Sequence, residues 1–214
     1  MSLASEAKSN RPGRPSREEQ SRRENLVLDI ALQEFLTEGL NGANIESIAR
    51  KAGIGKSTIY RKYVSKQGLL IAVARRRMQE IESQWIGFDF DIENHEETLY
   101  RIALISLREW SGKSMPIYRI IYAEAERMPD VAKAVDQMTK SSAIRPIIDY
   151  FKALQDKGTI TVKDIAEAAS MFLIISAGAI RAFLIPIEID VEIESQLARD
   201  AVRFFLYGYA KRDR

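Results

Sequence analysis

The chain has 214 residues, a length that suits one large or two small domains. Hydrophobic residues make up 46% and charged residues 29%, which is ordinary for a globular protein with enough apolar material for a core. There is no cysteine and only one histidine, so disulfides, thiolate catalysis, cysteine-ligated zinc and multi-histidine metal sites are excluded. We expect no cofactor.

The longest uncharged stretch, residues 168–180, has thirteen residues, whereas a membrane span needs about 20. The N-terminus is polar and basic and lacks the apolar segment of a secretory signal. We therefore expect a cytoplasmic protein that does not span a membrane.

Positive charge is concentrated at the N-terminal end of the chain. Residues 1–80 hold 15 Lys and Arg against 9 Asp and Glu, whereas the remaining residues hold 17 against 21. The basic end is where we expect a polyanion to bind. Within it, residues 1–17 are polar and carry Pro12 and Pro15, which predicts a flexible basic arm.

Four helices are predicted after the arm. The first begins near Glu18 and ends at Gly39. Asn44 is a typical N-cap for a short second helix. Residues 53–55, Gly-Ile-Gly, end that helix, and a short third helix follows from Lys56 to about residue 63. Ser65 caps the fourth, which runs to about residue 85.

The rest of the chain shows no extended alternation of apolar and polar residues, so no strand is predicted. Five further helices are predicted, over residues 96–112, 115–126, 130–157, 164–185 and 191–211. Thr161 and Asp164 have the spacing of a capping box before the fourth of these. The predicted fold class is all-α.

The two short helices on either side of the Gly-Ile-Gly turn predict a helix-turn-helix between residues 44 and 63. In such a motif the first helix braces the second, which lies in the major groove of DNA. Small apolar residues occur where the two short helices are expected to touch, which suits a bracing contact between them. Polar residues lie on the second helix, where it would face DNA. The candidate DNA-binding residues are Asn44, Gly55, Lys56, Ser57, Thr58, Tyr60, Arg61, Lys62 and Lys66.

These candidates divide into two groups. Residues 55–58 are expected to face base edges, whereas Tyr60, Arg61 and Lys66 are expected to reach phosphates. On spacing alone, a solvated face of an ordinary helix explains the same charges equally well.

Residues 44–70 closely resemble the DNA-binding signature of the TetR (tetracycline-repressor-like) family. The matching parts are Ile48-Ala49, Ala52-Gly53-Ile54, Thr58-Ile59-Tyr60, Tyr63, Ser65-Lys66 and Leu69-Leu70, together with Ala31, Phe35 and Gly39 in the preceding helix. Gly55 stands where the family often has serine, and Ser57 where it often has glycine. Because these positions face the groove, the resemblance leaves base preference open.

A shorter stretch, residues 118–134, resembles an effector-domain segment of the AefR-like regulators, a subgroup of that family. The resemblance implies an N-terminal helix-turn-helix domain of three helices, over residues 18–66, and a larger helical domain for effector binding and dimerisation, over residues 67–214. It also implies a homodimer formed through the last two helices, an inverted-repeat operator in double-stranded DNA, and repression that a small-molecule effector relieves.

Two sets of residues remain open to more than one interpretation. Arg11 and Arg14, around Gly13 and Pro15, resemble the core of an AT-hook, which predicts insertion into an A·T-rich minor groove. A solvated basic tail explains them equally well. The candidate effector pocket comprises bulky residues of the middle helices, each of which also suits a plain core: Trp85, Trp110, Tyr118, Tyr122, Phe151, Met171 and Phe172.

Two other classes of function compete with that of a transcriptional regulator. An all-helical enzyme is disfavoured, because the sequence has one histidine, no cysteine and no glycine-rich phosphate loop. A module whose helix-turn-helix binds a protein is the other alternative. We expect a regulator that is not an enzyme.

Overall fold

A computed structural model describes residues 16–112, 115–177 and 190–209 of the chain. Within these ranges the structure is built from helices and contains no strand, so the predicted all-α class is confirmed. The helices are α1 (Arg17–Gly42), α2 (Ile45–Lys51), α3 (Lys56–Tyr63), α4 (Lys66–Ser83), α5 (His95–Ser111), α6 (Met115–Ala123), α7 (Pro129–Thr139), α8 (Arg145–Asp156), α9 (Ile165–Ser176) and α10 (Val191–Tyr209). In the part of the chain that the structure describes, no helix is both long and apolar enough to cross a membrane.

Helix α1 begins inside the predicted arm. The Ser16 hydroxyl accepts the Glu19 amide at 3.2 Å, and the Glu19 carboxylate accepts the Ser16 amide at 2.9 Å, which completes a capping box. At the other end, Gly39 has a φ of +67°, and the regular helix breaks there as predicted. One further turn then leads to residue 42.

The first hydrophobic core joins the N-terminal helices to α6 and α7. Phe35 of α1, Ile48 of α2 and Ile59 of α3 are almost fully buried in it. Leu69 and Leu70 of α4 complete this side of the core, which also takes in buried residues of α6 and α7. Helix α4 therefore packs on the helix-turn-helix and on the following helices at once.

The second core lies between α5, α8, α9 and α10. Three phenylalanine rings meet at its centre: Phe205 lies 4.8 Å from Phe151 and 5.1 Å from Phe172, measured between ring centroids. All three side chains are completely buried.

The predicted helix over residues 130–157 is wrong in one respect, because it is interrupted. Residues 140–144 form a π-helical turn between α7 and α8. Pro146 follows in the first turn of α8, where it lacks the N–H that a regular helix would donate to the carbonyl four residues earlier. A wider turn accommodates that loss.

The predicted capping box at Thr161 is also wrong. Asp164 itself is the N-cap of α9, and its carboxylate accepts the Glu167 amide at 2.9 Å. The helix starts later because Ile160 and Val162 are buried in an extended segment, where the Val162 amide donates to the Gln155 side chain at 2.9 Å.

Some predictions fall outside the described residues. These are the arm up to residue 15, with Arg11 and Arg14, and the end of the helix predicted over residues 164–185, from residue 178 onward. The domain boundary at residue 66 stays a prediction.

Candidate DNA-binding surface and effector cavity

The turn between α2 and α3 is fixed by backbone hydrogen bonds around a left-handed glycine. Gly53 has a φ of +65°, its amide donates to the Arg50 carbonyl at 3.2 Å, and the Ile54 amide donates to the Ala49 carbonyl at 3.0 Å. These two bonds form a Schellman motif, in which glycine carries the positive φ with least strain. The turn therefore sets the angle at which α3 leaves α2.

Helix α3 buries one face and exposes the other. Ile59 and Tyr63 lie in the first core, one turn apart. The opposite face consists of Lys56, Ser57, Tyr60, Arg61 and Lys62, all of which are exposed, with Thr58 half-buried at its edge. Gly55, also exposed, is the N-cap of α3 and offers no side-chain cap. The structure thus brings most of the predicted DNA-binding residues onto a single polar face.

Asn44 caps α2, as the sequence predicts. Its Oδ1 accepts the amides of Glu46 at 2.7 Å and Ser47 at 3.4 Å. This role is structural, and a direct contact between Asn44 and DNA stays a prediction.

Two lysines of this face have acidic partners within the chain. Lys56 Nζ is paired with Glu46, and this hydrogen bond holds the pKa of the Glu46 carboxyl below its usual range. Lys62 Nζ lies 2.6 Å from Glu24 Oε2. All four side chains are substantially exposed, so these surface pairs are weak.

Lys66 has a structural role that sequence reasoning missed. Its ammonium donates to the carbonyls of Asn41 at 2.8 Å and Ala43 at 3.1 Å, and so ties the end of α1 to the start of α4. Two of its three donors are therefore engaged within the protein.

Sequence reasoning also missed the carboxylate that joins α1 to α2. Glu34 is buried, its Oε2 accepts from Lys51 Nζ at 2.7 Å, and the Ser47 hydroxyl donates to the same oxygen at 3.3 Å. The hydrogen bond from Lys51 lowers the pKa of Glu34 despite its burial. Only the fold brings these residues together, because they are 13 and 17 positions apart.

A cavity of about 390 Å³ lies between α4, α5, α6, α7 and α9. Four of the seven predicted pocket residues line it: Trp85, Trp110, Tyr118 and Tyr122. The other lining residues are seven aliphatic side chains and six that carry a hydroxyl or a charge. Its volume suits a small organic ligand.

The other three predicted pocket residues do not line this cavity. Phe151 and Phe172 are completely buried in the second core, where their rings contact Phe205. Met171 of α9 is 41% exposed and does not line the cavity. Sequence spacing does not separate these three positions from the four that line the cavity, because all seven are bulky, largely apolar residues within or next to helices.

Polar contacts connect the cavity to α4. Glu109, which lines the cavity, forms an ion pair with the buried Arg77 of α4, and Gln84 donates to its other carboxylate oxygen at 2.7 Å. The Tyr118 hydroxyl lies 2.9 Å from the Thr139 hydroxyl, and burial raises the pKa of Tyr118 to about 12, so the phenol stays protonated at neutral pH. The wall of the cavity is thus bonded to the helix that also packs against α1.

Two segments of the chain match family profiles. Residues 27–73 match the profile described as bacterial regulatory proteins, tetR family. Residues 103–211, about half of the chain, match the AefR-like transcriptional repressor, C-terminal domain.

Similar proteins and structures agree with these profiles. The chain is 28% identical to the uncharacterized HTH-type transcriptional regulator YvkB of Bacillus subtilis over 155 residues, which cover 71% of this chain and 78% of that protein. It is 25% identical to the HTH-type transcriptional repressor BepR of Brucella suis, over 71% and 75% of the two chains. A crystal structure of a TetR-family regulator from Mesorhizobium loti shares the fold, with a TM-score of 0.77 and 21% identity over 92% of this chain and 100% of that one.

The exposed polar face of α3 and its bracing by α2 are the features that a DNA-binding helix-turn-helix requires. The family profiles cover that motif and most of the residues that line the cavity. This chain therefore belongs to the TetR family of DNA-binding transcriptional regulators.

Proposed function

We propose that this protein is a repressor that leaves its operator when a small molecule occupies the cavity. The observation that carries the proposal is the position of α4. Its residues Leu69 and Leu70 lie in the core of the helix-turn-helix, whereas Ile81 lines the cavity and Arg77 is paired with Glu109 of the cavity wall. A ligand that changes the wall acts directly on the helix that supports α1 and α3.

In the DNA-bound state, a homodimer presents two α3 helices to successive major grooves of an inverted repeat, about 34–36 Å apart. Residues 55–58 contact base edges, and Tyr60, Arg61 and Lys62 contact phosphates. Lys66 adds one further donor to a phosphate, since two of its three already bind carbonyls. Asn44 lies at the start of the bracing helix, and the arm places Arg11 and Arg14 in the adjoining minor groove.

The homodimer forms through α9 and α10. Both helices bury one face in the second core and expose large apolar side chains on the other. On α9 Met171 is 41% exposed, and on α10 Phe204 and Tyr207 are 65% and 67% exposed. Apolar side chains concentrated on two neighbouring helices are typical of a subunit interface.

Release from DNA is a shift between two dimer populations. The ligand favours a dimer in which the two α3 helices no longer match the spacing of the grooves. A differential affinity of about 1–3 kcal/mol is the usual size of such coupling, which corresponds to roughly 5- to 150-fold in DNA affinity.

The DNA upstream of the gene, labelled and titrated with the full chain, tests the proposal by fluorescence anisotropy. We expect nanomolar affinity for a fragment with an inverted repeat, falling steeply as salt rises. Arg61→Ala weakens binding to all sequences, because it removes a phosphate contact, whereas Arg145→Ala, which removes an exposed arginine of α8, leaves binding unchanged.

Equal affinity for all fragments would overturn the proposal. Charge reversal by Lys56→Glu provides a second check, since it must abolish repression of a reporter gene. Repression that survives this change would instead favour a helix-turn-helix that binds a protein.

A further inference from the structure

The two lysines of α3 are each paired with a carboxylate from another helix. Lys56 is paired with Glu46 of α2, and Lys62 Nζ lies 2.6 Å from Glu24 Oε2 of α1. Arg61, the third cation of the exposed face, makes no hydrogen bond or ion pair with the residues that the structure describes. The three cations would therefore meet DNA under different constraints.

The Lys56 ammonium is held at a defined place by groups on two helices. Glu46 lies in the first turn of α2, where Asn44 Oδ1 accepts its amide at 2.7 Å. Within α3, the centroid of the Tyr60 ring lies 5.9 Å from Lys56 Nζ. The hydrogen bond to Glu46 raises the pKa of the Lys56 ammonium, so the lysine stays charged at neutral pH. The pair thus joins the first turns of α2 and α3 across the turn of the helix-turn-helix.

This pairing opposes contact between Lys56 and a phosphate. An ammonium that moves to a phosphate must leave Glu46, and the carboxylate that stays behind repels the same phosphate. An exposed ion pair is worth roughly 1.5- to 5-fold in an equilibrium constant, so Lys56 contributes less to non-specific binding than a free lysine does. Arg61 has no such partner to leave.

The pairing still allows Lys56 to contact a base. An ammonium has three donors, of which Glu46 occupies one, and guanine offers two acceptors, O6 and N7, on its major-groove edge. The N-terminal residues of a recognition helix are the ones that reach base edges, and Lys56 is the first residue of α3. Lys56 can therefore donate to guanine without leaving Glu46.

We propose that Glu46 is a specificity-determining residue, which directs Lys56 to a guanine of the operator and away from the phosphates. The inference rests on the proposed function, because it assigns a task within the DNA-bound surface. Glu46 is a positioning residue, since it acts through Lys56. It lowers the affinity for DNA of arbitrary sequence and raises the affinity for the operator, so its removal has two effects of opposite sign.

Glu46→Ala measures these two effects. The full chain is titrated by fluorescence anisotropy against the operator fragment and against a fragment of the same length and base composition in scrambled order. We expect the variant to bind the scrambled fragment about 1.5- to 5-fold more tightly, because Lys56 is then free to contact phosphate. We expect it to bind the operator about three- to tenfold more weakly, because Lys56 is no longer held at the base. For the scrambled fragment, the slope of log affinity against log salt concentration steepens by about 0.9 for each lysine released.

Glu24→Ala is the matched control, since it removes the carboxylate partner of Lys62 near the other end of α3. Lys62 contacts phosphate in both complexes under the proposed function. We therefore expect this variant to bind both fragments more tightly by a similar factor, with the ratio of the two affinities as in the wild type.

Replacement of each G·C pair of the inverted repeat in turn identifies the base. One replacement weakens wild-type binding by roughly 5- to 150-fold, the usual range for a direct base contact. The same replacement weakens binding by Glu46→Ala much less, because the contact is already impaired. A penalty of equal size in both proteins at every position would contradict the contact.

Tighter binding of both fragments by Glu46→Ala would mean that Glu46 only repels DNA, and weaker binding of both would mean that it only supports α2. Either result overturns the inference, as does an unchanged ratio of the two affinities. Equal affinity of the wild type for the two fragments contradicts the proposed function as well. Discrimination by the wild type that Glu46→Ala retains contradicts this inference alone.

Discussion

Val64, between α3 and α4, has a backbone conformation that β-branched residues rarely adopt. Its φ is +67° and its ψ −44°, and the Ser65 amide donates to the Tyr63 carbonyl at 2.7 Å across it. The three residues form a γ-turn, a strained connection that holds the end of α3 against the start of α4. The Val64 side chain is 78% exposed, so packing does not compensate for the strain.

We expect Val64→Gly to raise the free energy of unfolding by about 1 kcal/mol. Relief of strain at such a position is worth about 1–3 kcal/mol, and the greater freedom of glycine in the unfolded chain offsets roughly 0.5–1 kcal/mol of it. Urea unfolding measures the change. Val64→Ala is the control, since it keeps a Cβ at positive φ and gains much less; equal stability of the two variants would contradict the strain argument.

Gly68, in the first turn of α4, is needed because α3 comes too close for a side chain. A Cβ built at residue 68 would lie 2.0 Å from the Tyr63 carbonyl oxygen, whereas one at Gly55 meets nothing nearer than the Ser57 hydroxyl at 3.5 Å. We expect Gly68→Ala to destabilise the protein by about 2–3 kcal/mol and to weaken operator binding, because α3 must move.

Gly55→Ala is the matched control for stability and should cost about 1 kcal/mol at most, because alanine is a poorer N-cap than glycine but meets no close neighbour. Thermal unfolding of both variants, followed by circular dichroism, makes the comparison. A Gly68→Ala variant as stable as Gly55→Ala would mean that α4 adjusts without displacing α3.

At the scale of the helices, local signals in the sequence predict starts and breaks well. Asn44 and Ser65 cap α2 and α4, as predicted, and Gly39 breaks α1. The π-helical turn at residues 140–144 could not be predicted, because the apolar spacing continues through it and no residue type marks an i→i+5 bond.

The cavity could be predicted only in part, for a related reason. Trp110 and Phe151 are both bulky aromatic residues of apolar helix faces, but Trp110 lines the cavity and Phe151 fills a core. The difference depends on which helix faces meet, which is a property of the tertiary packing. The same holds for Lys66, whose bonds to the end of α1 cross 25 and 23 residues of sequence.

The contact of α1 with α2 makes stability depend on pH through Glu34. Its pKa is lowered in the folded state from an ordinary value of 4.5, so the folded protein holds this carboxylate ionised more strongly than the unfolded chain does. The stabilisation is therefore present at neutral pH and is lost as the pH falls below 4.5 through the lowered pKa.

We expect Glu34→Gln to cost about 1 kcal/mol at pH 7, because the exposed Lys51 limits the strength of the pair. The stabilities of variant and wild type then converge in acid, as urea unfolding at a series of pH values would measure. Glu38→Gln alters an exposed glutamate one turn further along α1 and should leave the curve unchanged. A constant difference between Glu34→Gln and wild type at every pH would contradict the assignment.

At the scale of the whole molecule, the two cores place the helix-turn-helix and the proposed dimer interface in different parts of the structure. One core holds the helix-turn-helix, and the other holds α9 and α10, whose outer faces carry exposed apolar side chains. A single α3 presents one short polar face, and tight binding to an inverted repeat needs two of them held at a fixed distance. Affinity for the operator should therefore depend on residues of the second core's outer surface, far from any DNA contact.

Phe204→Glu tests this dependence. Phe204 is 65% exposed on α10, so the change leaves the second core intact but places a charge in the proposed interface, where its desolvation is unfavourable. We expect sedimentation equilibrium to show a monomer at concentrations where the wild type is dimeric, and operator affinity to fall by at least about a hundredfold, since each half-site is then bound separately. Ile86→Glu, at a residue that is 82% exposed outside α9 and α10, controls for the loss of an apolar side chain and should leave both measurements unchanged. A Phe204→Glu variant that remains dimeric and binds the operator normally would assign the interface to another surface.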